Sequence, residues 1–318
     1  MAARLLRLLG ILLVLSAVAL AFSRAPDRSV ESLVARWAPP PSEFIELKGQ
    51  LVHLRDEGPK SDPEPVVLIH GTSASLHTWD GWVKALKGQR RVITFDLPAF
   101  GLTGPFAGQY TRDDYRGDTY ARFVLDLLDQ LKVQRAVIGG NSLGGEVAWR
   151  TAVLAPERVA GLILVDAAGP AFTPQSMPIG FTIARTPVVN RIPKWVLPRG
   201  LVASSVANVY GDPSKVTPEL VDRYFELTLR EGNRRALGVR MMQTSIKGED
   251  AERIKQVKAP TLILWGGRDR LIPPEAARVF ERDIAGSKLV VFPELGHVPH
   301  EEDAARTVAS VREFLGLR

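Results

Sequence analysis

Val137-Ile138-Gly139-Gly140-Asn141-Ser142-Leu143-Gly144-Gly145 carries a β-branched run into a Gly-x-Ser-x-Gly pentapeptide and out into a helical pattern. A serine on a tight strand-to-helix turn needs small neighbours two residues to either side so that the backbones can pass closely, and here these are Gly140 and Gly144. Its hydroxyl then projects into a cleft, which makes Ser142 the candidate nucleophile. The bare pentapeptide would arise by chance in roughly one such chain in ten, so the flanks carry the reading. Arg135 to Ile138 reads as a buried strand, and Val147, Ala148, Val153 and Leu154 recur at helical positions until Pro156 ends the helix.

A serine hydroxyl is a poor nucleophile at neutral pH and needs a base, with a carboxylate to hold that base in the right tautomer. His297 in Phe292-Pro293-Glu294-Leu295-Gly296-His297 and Asp269 in Leu264-Trp265-Gly266-Gly267-Arg268-Asp269 each follow a strand pattern, so both are expected at the same sheet edge as Ser142. The rival base is His300 and the rival acid Asp166. His297, His300, Glu301 and Glu302 match no metal-ligand spacing, so no metal or organic cofactor is expected. Two backbone donors must meet the oxyanion: the N–H of Leu143, and that of Thr72 in the loop His70-Gly71-Thr72-Ser73. His70 itself reads as a brace for that loop.

Outward from the serine, strand and helix patterns alternate. Phe44–Leu47 and Leu51–Leu54 form an expected hairpin, and strands follow at 66–69, 92–95, 135–138, 159–165, 261–265 and 289–292. Helices are expected around 79–86, 115–131, 146–154, from Pro274, and over 303–315. That alternation predicts an α/β fold with a mostly parallel sheet and right-handed crossovers. It breaks between 170 and 258, where proline, arginine and amphipathic stretches predict a helical cap inserted into a core of 44–169 and 259–318. Met177, Ile179, Phe181, Ile183, Val188, Val189, Trp195 and Leu197 are candidates either for an acyl pocket or for the cap's own packing.

The 318 residues are 45% hydrophobic and 24% charged, enough for a full globular core, and with no cysteine the nucleophile must be an oxygen. The net charge of +6 falls unevenly, with the excess of basic side chains on residues 1–40 and on the insert. No aromatic-interleaved basic stripe accompanies it, so the expected partners are a small acyl substrate and an anionic membrane surface, and not nucleic acid. Arg4 and Arg7 followed by the apolar run Leu8–Phe22 predict a signal peptide or an uncleaved membrane anchor over 1–24, and hence an exported domain joined by a juxtamembrane linker at 25–43. Within that linker Val30, Leu33, Val34 and Trp37 share a helical face, suited to lipid headgroups or to packing on the domain. Oligomeric state is not legible.

Taken together, His70-Gly71, the loop Asp96-Leu97-Pro98-Ala99-Phe100-Gly101-Leu102-Thr103, the Ser142 turn, Asp269 and Gly296-His297 resemble the α/β-hydrolases from about Phe44 to Leu315. The resemblance implies an eight-stranded sheet and an enzyme of the Ser-His-Asp type. Ala99 and Thr103 depart from the glycine and serine usual there. The Gly-Asn-Ser-Leu-Gly-Gly turn is similar to that of carbon–carbon bond hydrolases acting on ring-fission products, which place tryptophan where Val298 stands. The apolar N-terminus, the Asp96 loop and Asp113-Asp114-Tyr115 look similar to membrane-anchored monoacylglycerol lipases, which implies carboxylic ester hydrolysis. A non-catalytic scaffold that binds through the cap is the competing class.

Overall fold

The computed structural model describes residues 23–110, 113–186 and 196–317 as continuous stretches, together with residues 4, 7, 9–11 and 14. Most of the apolar run 8–22, and Val188, Val189, Arg191, Lys194 and Trp195 of the insert, lie outside the described residues. Among the described residues no helix is long and apolar enough to cross a membrane.

After helix α1 (Val30–Trp37) come β1 (Glu43–Leu47) and β2 (Gln50–Glu57), then β3 (Val66–Ile69), α2 (Asp80–Leu86), β4 (Val92–Phe95), α3 (Gly117–Gln130), β5 (Ala136–Asn141), α4 (Leu143–Leu154) and β6 (Val159–Val165). Among the described residues four α-helices follow before the sheet resumes: α5 (Ile179–Arg185), α6 (Arg199–Val209), α7 (Pro218–Thr228) and α8 (Asn233–Gln243). The chain ends with β7 (Thr261–Gly266), α9 (Glu275–Asp283), β8 (Lys288–Phe292), the single turn α10 (Pro299–Glu302) and α11 (Ala304–Phe314). The expected terminal helix is therefore two, with His300 in the first.

All eight strands join one sheet in the order β1-β2-β4-β3-β5-β6-β7-β8. The β1–β2 hairpin adds antiparallel to β4, and every other pairing is parallel. β3, β4, β5 and β7 are buried along their whole length, as strands covered by helices on both faces must be, which explains their continuous apolar reading. One core face collects Ile138, Trp149 and Trp265 and the other Leu68, Trp82 and Val165.

The insert's clearest helix signal holds: the Thr217 hydroxyl accepts the Leu220 N–H at 3.2 Å and Pro218 occupies the first turn of α7. The amphipathic α1 packs on this insert, with Leu33 buried beside Leu102 and Leu227. Trp37 Nε1 donates to Glu226 at 2.7 Å, and Arg36 pairs with Glu226 and Asp222. Of the two placements open to Trp37, packing on the domain is the one adopted.

Candidate functional site

Parallel strands deliver their following loops to one edge of the sheet, so the loops after β3, β5, β7 and β8 converge there. Ser142 follows the last residue of β5 at φ 54° and ψ −114°, a left-handed conformation that a serine adopts only where the surroundings impose it. They do. The Ser142 N–H donates to Val165 O at 3.0 Å, and its carbonyl accepts from the N–H groups of Glu146 and Ala168. A Cβ at Gly140 would lie 2.1 Å from Gly144 O, and one at Gly144 would lie 2.0 Å from Ile69 O. Gly144→Ala is therefore expected to cost about 3 kcal/mol of stability by overpacking against backbone that cannot yield, read as a lowered denaturant midpoint.

His297, in the loop after β8, has its Nδ1 2.7 Å from Asp269 Oδ2. A carboxylate only accepts, so the proton sits on Nδ1 and Nε2 is left as an acceptor. Asp269 Oδ1 takes the N–H groups of Leu271 and Ile272 at 2.8 and 3.0 Å, which fixes the carboxylate's orientation. Both His297 and Ser142 line an apolar cavity of about 340 Å³ walled by Ile183, Leu197, Val202, Val206 and Val298. Thr72 also lines it, and a second, polar cavity of about 510 Å³ reaches Thr72, Ser142 and Leu143 from the other side. The N–H groups of Thr72 and Leu143 donate to no described protein group, which suits the oxyanion role expected of them. Of the apolar candidates in the insert, Phe181, Ile183 and Leu197 face the apolar cavity and Met177 the polar one, while Ile179 is exposed.

The rivals resolve on chemistry. His300 is buried with its ring 4.0 Å from that of Trp79, neither ring nitrogen finds a partner among the described residues, and burial together with His297 depresses its pKa, so it is a neutral core aromatic. Glu301 is spent on Arg223 and Tyr224. Glu302 accepts the N–H groups of Gly211, Asp212 and Gly296, clamping the loop that carries His297. His70 braces its own loop, Nδ1 bonding Gly71 O at 2.7 Å and Nε2 accepting the Leu97 N–H at 2.9 Å. Asp166, Asp269 and His297 do bring ligand atoms within 4.8 Å of one another. Both Asp269 oxygens and His297 Nδ1 are nonetheless engaged in the hydrogen bonds just described, which leaves those atoms spent on each other and on backbone N–H groups.

Asp166 is itself informative. It lies buried behind Asp269 at φ 44°, its Oδ1 accepts the Gly266 N–H at 2.9 Å, and burial, then the Asp269 charge, push its pKa far above the carboxylate range. Both causes favour the protonated form of Asp166. In the unfolded chain it ionises above about pH 4, so its contribution to stability is complete below that pH and is lost as pH rises toward the raised folded value. Asp166→Asn, neutral at every pH, should be more stable than wild type at pH 7 and lose that advantage near pH 4 in paired denaturation series.

Two residues of the site escaped the sequence reading. Asn141 Nδ2 donates to both Val165 O and His297 O, at 3.1 and 2.9 Å, tying the serine turn to the histidine loop. Glu302 does the same for the far side of that loop. Asp96 gathers the N–H groups of Leu76 and Leu102 and the ring of His53, and burial, which raises its pKa, is outweighed by His53 with His70 and His77 nearby, so the pKa lies below the usual range. In the same loop Ala99 sits at φ 84°, the backbone state for which the resemblance leads one to expect glycine.

A family model described as alpha/beta hydrolase fold matches residues 64–304, which takes in every one of these loops. The chain belongs to the α/β-hydrolase family. This α/β-hydrolase is 31% identical to the dihydrolipoyllysine-residue acetyltransferase component of the acetoin cleaving system of Pseudomonas putida, over 87% of its own length and 70% of that protein's. Among solved structures it is similar to a meta-cleavage product hydrolase from Pseudomonas fluorescens IP01, with TM-score 0.73, 26% identity, and 86% and 97% of the two chains covered. It is likewise similar to a thermophilic esterase from Thermogutta terrifontis, with TM-score 0.67, 26% identity, and 88% and 96% covered.

Proposed function

We propose that this α/β-hydrolase cleaves carboxylic esters through an acyl-enzyme, with Ser142 as nucleophile, His297 as base and then acid, and Asp269 as the group that orients His297. The observation that carries the reading is the hydrogen-bonded His297–Asp269 pair opening onto the same apolar cavity as Ser142. Ser142 Oγ attacks the ester carbonyl carbon as its proton passes to His297 Nε2, and the oxyanion is received by the N–H groups of Thr72 and Leu143. Collapse breaks the carbonyl–alkoxy bond, and His297 returns the proton to the departing alcohol. Water then attacks the acyl-enzyme by the same route in reverse and releases the carboxylic acid.

The apolar lining of the serine's cavity supports an acyl chain as its occupant. A second reading, hydrolysis of a carbon–carbon bond in a vinylogous diketone, is supported equally by the relatives, since one similar structure is a meta-cleavage product hydrolase and another an esterase. Turnover of p-nitrophenyl esters from acetyl to palmitoyl, beside a 2-hydroxy-6-oxodienoate, separates the two. Ester turnover with an optimum at medium chain length is expected. Cleavage of the dienoate with all esters inert would replace this reading with the second.

Export or anchoring by residues 1–24, and delivery of lipid-derived esters from an anionic membrane face, belong to the same proposal. In support stands the basic excess of the tail and insert. Much of the insert's charge is nonetheless neutralised locally: Arg199 pairs with Asp222, Arg223 with Glu301 and Arg253 with Asp118. The tail's Arg28 and Arg36 are paired as well, with Glu226 and Asp222 of the insert.

A further inference from the structure

Two chambers meet at Ser142, and an acyl chain accounts for the apolar one alone. The other, about 510 Å³, is walled by charge. Its carboxylates are largely committed: Glu146 and Asp250 bond Arg150 at 2.9 and 2.7 Å, Asp118 bonds Arg150 and Arg253, and Asp114 bonds Arg116. Arg122 is exposed to water, and two guanidiniums with a buried Nε are not so committed. Arg240, on α8, is 4% exposed; it donates once, to Tyr115 O at 3.2 Å, lies 4.0 Å from the already engaged Glu146, and keeps a buried Nε with no acceptor among the described residues. Arg185, at the end of α5, likewise has a buried Nε without an acceptor and forms no ion pair among the described residues. No Asp or Glu occurs among the residues outside the described stretches.

α5 packs against α8, Arg185 and Arg240 line the same cavity, and burial together with the Arg240 charge lowers the Arg185 pKa. Burying like charges with unused donor edges is costly, and an oxyanion accepting from both forks removes that cost. Resting on the ester reading above, we propose that Arg185 and Arg240 bind an oxyanion carried by the alcohol part of the substrate, so that the substrate class is an acyl ester of a phosphate-bearing alcohol. The acyl chain fills the apolar chamber, the charged group fills the polar chamber, and the scissile carbonyl lies where the two meet, at Ser142.

The test is equilibrium binding to the Ser142→Ala protein, which needs no turnover. 1-Decanoylglycerol 3-phosphate should bind about tenfold to a hundredfold more tightly than 1-decanoylglycerol, the worth of one charge-assisted bidentate contact. In the same background Arg185→Glu should bring that ratio below one, and Arg185→Lys should keep most of it. Equal binding of the two esters, no measurable binding of either, or a ratio indifferent to Arg185→Glu would overturn the proposal. Glycerol 3-phosphate binding as tightly as its decanoyl ester would overturn it too, by making the site one for a free phosphate compound. Failure of the hydrolysis reading itself shows separately, as wild-type protein that binds the ester with this preference and does not cleave it.

Discussion

Ser142→Ala is expected to lower ester turnover by about a million-fold, to the level left by binding and the oxyanion donors alone, while leaving the protein folded. The size of the effect follows from the absence of a substitute. The chain has no cysteine, and no other hydroxyl occupies the turn between β5 and α4. Stability should not fall with activity, because Ser142 is held by its backbone bonds to Val165, Glu146 and Ala168, all of which an alanine retains. Alanine at φ 54° meets the same strain as serine. Progress curves with the best p-nitrophenyl ester, beside near-ultraviolet circular dichroism, check both halves.

Asp269→Asn should lower kcat by about ten-thousand-fold, since an amide in place of the carboxylate leaves His297 free to put its proton on the wrong nitrogen and removes the charge that stabilises the imidazolium. Asp166→Asn is the informative companion. Burial and the Asp269 charge favour the neutral form of Asp166, which asparagine copies while preserving the acceptor that holds the Gly266 N–H, so kcat should change by less than about tenfold. The contrast separates the carboxylate bonded to the histidine from the one behind it, two residues with the same chemistry that the sequence leaves as rivals. A larger loss at position 166 than at 269 would exchange their roles.

The sheet and its loops were legible because their signals are local. β3, β4, β5 and β7 are buried runs rich in β-branched and apolar residues, and the loops carrying Thr72, Ser142 and Asp269 open after β3, β5 and β7, while the His297 loop follows the partly buried β8. The glycines flanking Ser142 state a backbone clearance that only a close approach requires, and the structure supplies that approach from Gly144 and Ile69. The insert was legible only as helical texture. α7 announces itself through Thr217 and Pro218, but α6 and α8 lack side-chain caps, and their existence depends on packing against partners far along the chain.

What escaped entirely is tertiary. Glu302 reads as one acid among neighbours, yet its partners include Gly211, 91 residues away. Asn141 reads as a filler beside the nucleophile, and only the fold brings it to His297 O, 156 residues on. His300 reads in the sequence only as a rival to His297, and its packing against Trp79 comes from the fold. The pairing of Arg185 with Arg240 has the same origin: nothing in either helix marks it, and it arises because α5 and α8 meet beside the serine.

The central claim is that Ser142 is the nucleophile of this α/β-hydrolase, and mass-spectrometric mapping of a fluorophosphonate adduct tests it most directly. The reagent reacts with a serine whose hydroxyl is activated by a neighbouring base and whose oxyanion is met by donors, the parts proposed for His297 and for the N–H groups of Thr72 and Leu143, and His297 lines the same cavity as Ser142. The account predicts a single adduct on the peptide containing Ser142, formed at a rate that falls with Asp269→Asn and is absent in Ser142→Ala. An adduct on another residue, or an unlabelled protein that is demonstrably folded, would contradict it.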